Sequence, residues 1–259
     1  MAQYVDSLEE RGRLVFLRSI AIEELKLSKN AFKLAARRLI AKKRIVGTKG
    51  GFFVAVPLQY RSIGSPPPSW FIHDLMEFHH KPYYVGILSA AEMHGAAHQR
   101  PQVFQVITDS PTRTLKKGGM PIRFFTKKHI HDIPVQEIKT EAGFIHVSTP
   151  EATAVDVVRY YKAAGYFDNV TTVLIELAEV LDSKKLVRAV TVNGELSIAQ
   201  RLGYLLDRYT KKHLTLGLEK WVRKQNPFPV LLDPTSRSKT KRLNTKWNVM
   251  VNTEIEPDV

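Results

Sequence analysis

Apolar side chains recur at helical spacing near the start of the chain. Phe32, Ala35, Ala36 and Leu39 occupy i, i+3, i+4 and i+7, which predicts an amphipathic helix with one core-facing stripe. Ser28 stands just before it and supplies a capping oxygen. The following run IVGTKGGFFVAV (45–56) holds two β-prone segments about a Gly-rich turn and predicts a hairpin. Upstream, Asp6 or Ser7 is expected to cap a short helix reaching Arg11, Leu14-Val15-Phe16 is strand-like, and Ser19 precedes a second short helix carrying Glu23 and Glu24. The prolines of RSIGSPPPSW (61–70) interrupt both periodicities and predict an extended, semi-rigid connector.

Beyond the prolines the pattern changes. WFIHDLMEF (70–78) and YYVGILSAAEMHGAAH (83–98) read as helices, the second with an extended entry. Short β-like runs follow in VFQVITD, IRFF, EIKT and FIHVST. Thr149-Pro150-Glu151 combines an N-cap, a proline at the first helical position and an early acid, and from there helices dominate. Val170, Val173, Leu174, Leu177, Val180 and Leu181 keep one apolar face, as do Ile198, Leu202, Leu205 and Tyr209, and WNVMVN near the end is strand-like. The whole predicts an α+β protein: a winged helix-turn-helix at 1–60, a Pro-rich linker at 61–69, and a larger mixed α+β domain at 70–259 with a mainly helical second half.

Charge adds the first functional constraint. The 259 residues carry 39 Lys and Arg against 25 Asp and Glu, a formal net charge of +14. Such an excess favours a polyanionic partner. No apolar run approaches the ~20 residues that span a bilayer, and the first residues lack a basic segment followed by an apolar stretch. With no cysteine there is neither a disulfide framework nor a thiolate zinc site. These features point to nucleic acid and a cytoplasmic setting.

The charge is also concentrated. Lys26, Lys29, Lys33, Arg37, Arg38, Lys42, Lys43, Arg44 and Lys49 stand between residues 26 and 49 with no acid among them. Lys29, Lys33 and Arg37 share a helical stripe roughly a third of a turn from the apolar one, and Asn30 borders it. A helix fits the major groove, its N-terminal half reaching base edges while cations hold phosphates. Asn30, Lys33 and Arg37 are therefore the candidate base readers, with Ser28 at the helix start and Lys29 and Arg38 on phosphates. Lys49, beside Gly50-Gly51, is the candidate wing tip. A solvated basic helix is the plainer alternative for any one of these residues, and winged modules also serve as protein-interaction domains. Two further basic groups, at 113–128 and 237–246, read as solvated surface.

Catalytic chemistry is thinner. His94 and His98 share a helix face by spacing, but the glutamate of HExxH is missing and glycine follows the first histidine, so packing is the expected role. Third ligands would have to come from His79, His80, His129 or His131. Asp109 ends one strand-like run and Glu137-Ile-Lys139 lies on another. On adjacent strands these carboxylates could hold Mg²⁺, with Lys139 orienting a water, as in a metal-dependent nuclease. No phosphate-binding loop, nucleophile elbow or dinucleotide fingerprint is present, and Gly64-Ser65 lacks the paired Asp-x-Asp of a nucleotidyltransferase. We expect no enzyme, no cofactor and no bound metal. The alternatives are that nuclease, or a basic interaction protein binding a toxin or RNA.

GGFFVAVPLQY, PPPSWFIHDLM and YYVGILSAAEMHGAAHQRPQVFQVITD closely resemble the AbiEi antitoxins of type IV toxin–antitoxin and abortive-infection systems. LGYLLDRYT, LLDP and WNVMVNTEIE are similar to that family's C-terminal region, so the resemblance spans nearly the whole chain. It implies a winged-helix domain that represses its own operon by binding inverted repeats in the promoter, and a larger antitoxin domain. It also implies a functional partner, the nucleotidyltransferase-like AbiEii toxin, which the antitoxin opposes without requiring a direct complex. It supplies no catalytic residues.

Overall fold

The computed structural model describes residues 1–96, 101–116, 118–210, 212–238 and 240–258. Among these residues it holds ten α-helices and three β-sheets, a mixed α+β architecture. The chain divides into two compact units. One comprises Met1–Tyr84, Gln102–Ile130 and Glu137–His146; the other comprises Val85–Pro101, His131–Gln136 and Val147–Val259.

The first unit begins with α1 (Ala2–Glu10), β1 (Val15–Leu17), α2 (Arg18–Glu24), α3 (Lys29–Ala41), β2 (Ile45–Gly47) and β3 (Phe52–Ala55). β3 lies between β1 and β2 and is antiparallel to both, with Phe16 opposite Phe53 and Val46 opposite Val54. These elements share a core of their own, built from Val5, Leu8, Phe16, Ala21, Phe32, Ala36, Leu39, Ile45 and Ala55. Phe53 joins it from both sides, stacked on Phe16 with ring centroids 5.3 Å apart and edge-on to Phe32 at 5.5 Å. Aromatic pairs of this kind stabilise by about 1 kcal/mol beyond their buried area.

Two local expectations differ from what forms. α1 starts at Ala2 rather than after Asp6 or Ser7, because the Asp6 carboxylate is taken by the Arg44 guanidinium and the Ser7 hydroxyl donates to the Tyr4 carbonyl. The proline stretch is extended only in part. Pro67 keeps extended angles (φ −54°, ψ 138°), Pro68–Trp70 is a 3-10 turn, and Ser65, Pro66 and Pro68 are buried.

The second sheet has the strand order β6-β5-β4-β8-β7, from β4 (Tyr83–Val85), β5 (Phe104–Thr108), β6 (Ile122–Thr126), β7 (Val135–Thr140) and β8 (Gly143–Ser148). β5 and β6 run parallel, Phe104 opposite Ile122 and Thr108 opposite Thr126. All five residues of β5 are buried, the polar Gln105 and Thr108 included, so the strand has no exposed face alternating with a buried one. Short helices precede and follow β4: α4 (Ile72–Phe78) and α5 (Ile87–Met93).

The second unit is helical around α6 (Pro150–Arg159), whose positions Glu151 through Val158 are all buried. Thr149 caps it from the Ala152 N–H, with proline at the first position as expected. The buried Glu151 carboxylate accepts the Asp182 N–H at 3.0 Å. Asp182 in turn accepts from the Lys184 and Lys185 N–H groups and so caps α8 (Ser183–Asn193). α7 (Tyr166–Leu177) buries Val170, Val173, Leu174 and Leu177. It stops there, however, so Val180 is left exposed. α9 (Leu196–Tyr209) and α10 (Leu216–Lys224) complete the helices. A small sheet, β10 (Arg242–Asn244), β11 (Val249–Val251) and β9 (Val230–Leu231) in that order, closes the chain.

Candidate nucleic-acid interface

α2 ends in two reverse-turn hydrogen bonds: the Lys26 N–H donates to the Glu23 carbonyl and the Leu27 N–H to the Ile22 carbonyl, at 3.2 and 3.0 Å. Lys26 takes a left-handed conformation between them (φ 48°). This is the arrangement that ends a helix sharply and satisfies its last carbonyls. Ser28 then accepts the Ala31 N–H at 3.1 Å and starts α3. The Ser28 hydroxyl oxygen is thus engaged in fixing where the helix begins.

α3 buries Phe32, Ala36 and Leu39. Lys29, Asn30, Lys33, Arg37 and Arg38 are all exposed on its other sides. Lys29 to Arg37 span about 12 Å of helix axis. None of Lys29, Lys33, Arg37, Arg38 or Lys49 has a carboxylate within ion-pair distance among the described residues. The nine cations of this segment are not equivalent, though. Arg44 pairs with Asp6, and Lys43 donates to the Ser62 carbonyl at 2.9 Å. Those two serve the fold.

Lys49 lies in the turn between β2 and β3, where Gly50 and Gly51 adopt φ of 85° and 95°. The turn is braced. A Cβ on Gly50 would meet the Phe78 ring at 3.1 Å, and one on Gly51 would meet the Arg18 side chain at 3.1 Å. Arg18 is a cation that local sequence reasoning misses. The register that sets Leu17 opposite Phe52 brings it beside the glycines, and no spacing rule within residues 11–20 signals that. Leu34 is a second omission. Its signal was present, an apolar residue off the Phe32–Ala36–Leu39 stripe, and it is 55% exposed.

The proposed nuclease centre does not assemble. Asp109 follows β5 while Glu137 and Lys139 lie on β7, and β4 and β8 run between those strands. Three strand spacings separate them by about 14 Å, far beyond a shared cation. Glu137 instead faces His146, 3.7 Å away, in a ring cluster. His146 stacks on Tyr83 (5.6 Å) and meets His73 edge-on (5.4 Å). His73 shares a hydrogen bond with the Tyr83 hydroxyl at 3.3 Å. Burial pushes the Tyr83 phenol well above its ordinary range and raises the Asp74 carboxyl beside it, with the His73 charge opposing.

His94 Nε2 is 2.8 Å from the Ser148 carbonyl, a packing role. Burial lowers its pKa, partly offset by that bond and by Glu151. His98, Lys117 and Lys239 lie outside the described residues. Among the described residues no group of three His, Asp or Glu side chains is placed to hold a metal ion, and no helix is long and apolar enough to cross a membrane. The second unit does contain an open groove of about 940 Å³ lined by Arg208, Arg242, Glu254 and Glu256 among others. Its charges are of both signs, so it favours no one ion.

Comparison with known proteins adds two likenesses. The crystal structure of the RV2827C protein from Mycobacterium tuberculosis superposes with a TM-score of 0.71, covering 96% of this chain and 90% of that one at 16% identity. At that identity the likeness concerns the fold alone. No curated protein matches the sequence. Residues 84–208 match the family described as the AbiEi antitoxin C-terminal domain. They include β5 and α6 to α8 described above, and the match supports an AbiEi family antitoxin.

Proposed function

We propose that this antitoxin is also a DNA-binding autorepressor of a type IV toxin–antitoxin operon. In this reading residues 1–60 form a winged helix-turn-helix, 61–69 the segment joining it to the rest, and 70–259 the antitoxin domain. α3 enters the major groove of inverted repeats in the protein's own promoter. Asn30, Lys33 and Arg37 meet base edges, Asn suiting adenine and Lys or Arg suiting guanine. Lys29, Arg38 and the Lys49 wing neutralise phosphates, releasing counterions and supplying affinity. Ser28 sets the start of the reading helix. Occupying the promoter repeats blocks transcription, in a cytoplasmic setting. The functional partner is the nucleotidyltransferase-like AbiEii toxin, opposed without a required complex.

A single observation carries this reading: the cations of α3 and of the hairpin tip are exposed and lack carboxylate partners among the described residues, on a module with its own core. Mobility-shift titration tests it, with full-length protein, a duplex from immediately upstream of its gene, and a scrambled duplex of equal composition. The upstream duplex should bind tightly, with affinity falling steeply in salt. Equal affinity for both duplexes would remove the repressor role. Co-expression with the neighbouring toxin gene tests the antitoxin part separately, because residues 70–259 alone should then restore growth.

A further inference from the structure

Leu34 occupies the middle of the cationic face of α3. At 3.6 residues per turn it lies on one stripe with Asn30 before it and Arg38 after it, and Lys33 and Arg37 adjoin it. All four neighbours are exposed. Leu34 is itself 55% exposed and has no part in the core cluster of its module. One exposed leucine is ordinary on a protein surface, but its setting here is not. Pairing α3 with α3 of another copy of this chain would bring like charges against Lys33, Arg37 and Arg38. A polyanion that also presents apolar groups has no such conflict. In the major groove the only apolar group on a base edge is the thymine C5-methyl. Leu34 is also the sixth residue of a helix that starts at Lys29, in the N-terminal half that reaches base edges.

We infer that Leu34 is a specificity-determining contact for a thymine methyl group, flanked by the polar readers Asn30, Lys33 and Arg37. The inference rests on the DNA-binding reading above and adds the base that the helix selects through an apolar contact.

The test uses the full-length chain and duplex sites it selects from a random-sequence library. Each thymine of the selected site is replaced in turn by uracil, which removes only the methyl. Wild type should lose about three- to fivefold in affinity at one or two positions, the size of one buried methyl. Leu34→Ala should bind the thymine and uracil duplexes equally at those positions, and Leu34→Met should keep part of the preference. Thermal melting of both variants should match wild type, since the site is exposed and these residues are good helix formers. Indifference of wild type to every uracil would overturn the inference while leaving DNA binding intact. So would a Leu34→Ala protein that keeps the wild-type thymine preference, including one whose only change is in oligomeric state. If the library yields no sequence above background, the DNA-binding reading fails first and this one with it.

Discussion

The face of α3 and the end of α9 use the same kinds of side chain to opposite ends. In the second unit Lys246 donates to Asp207 at 2.6 Å and reaches Glu219 at 3.3 Å. Thr215 and the Trp247 indole N–H also donate to Asp207, and Arg223 pairs with Glu219 at 2.7 Å. The Trp247 ring is fully buried against Gly203, where a Cβ would come within 2.1 Å of it. These four charges, Asp207, Glu219, Arg223 and Lys246, all have partners within the chain. On α3 no carboxylate approaches Lys29, Lys33, Arg37 or Arg38 among the described residues. Satisfied cations hold a fold, whereas exposed cations without partners remain available to an external polyanion.

Substitutions can break or sharpen that contrast. The largest effect is expected for Lys33→Ala with Arg37→Ala. Loss of two base-edge contacts should cost about 3–4 kcal/mol of specific DNA affinity, several hundredfold, with an unchanged melting curve. A parallel fall in stability would show that those cations serve the fold after all. Gly203→Ala comes next. Forcing a methyl into the Trp247 ring should destabilise the protein by about 3 kcal/mol in denaturant unfolding, and an unchanged midpoint would mean that the tryptophan contact is not needed.

Asp207→Asn should cost about 2 kcal/mol and also change the pH response. Burial raises the Asp207 carboxyl, but the Lys246, Trp247 and Thr215 bonds outweigh it and hold its pKa below 3.8. Its contribution is therefore present above pH 3.8 and is lost as pH falls below it through the folded value. The variant should show a shallower acid limb of unfolding, and an identical limb would exclude Asp207 as its source. The smallest effect is expected for Lys49→Ala. One phosphate contact fewer should lower affinity for all sequences about alike and reduce the logarithmic salt slope by roughly 0.9. A loss confined to one base position would mark Lys49 as a reader instead.

Much of the local structure is legible in the sequence. Of the Phe32, Ala35, Ala36 and Leu39 stripe all but the half-buried Ala35 are buried, Ser28 caps α3, and Thr149-Pro150 starts α6, because caps and periodicity are set within one or two helical turns. The β2–β3 hairpin followed from its glycines. The failures have a common cause. Asp6 is a good N-cap in isolation, but tertiary pairing with Arg44 claims it. Val180 continues an apolar period that the helix does not follow. Asp109 and Glu137 sit on strands that are near in sequence, yet the sheet order puts two others between them.

Sequence alone therefore determined the elements, the basic module and the family resemblance, since each is written in local spacing or in residue type. Tertiary structure decided which charges are spent and which are free. It tied Arg44 to Asp6 and Lys43 to the Ser62 carbonyl, drew Arg18 to the glycine turn, and left Leu34 and its cationic neighbours exposed. The physical reason is that a charge finds its partner through strand register and helix packing. Both join residues far apart in the chain, beyond the reach of any local pattern.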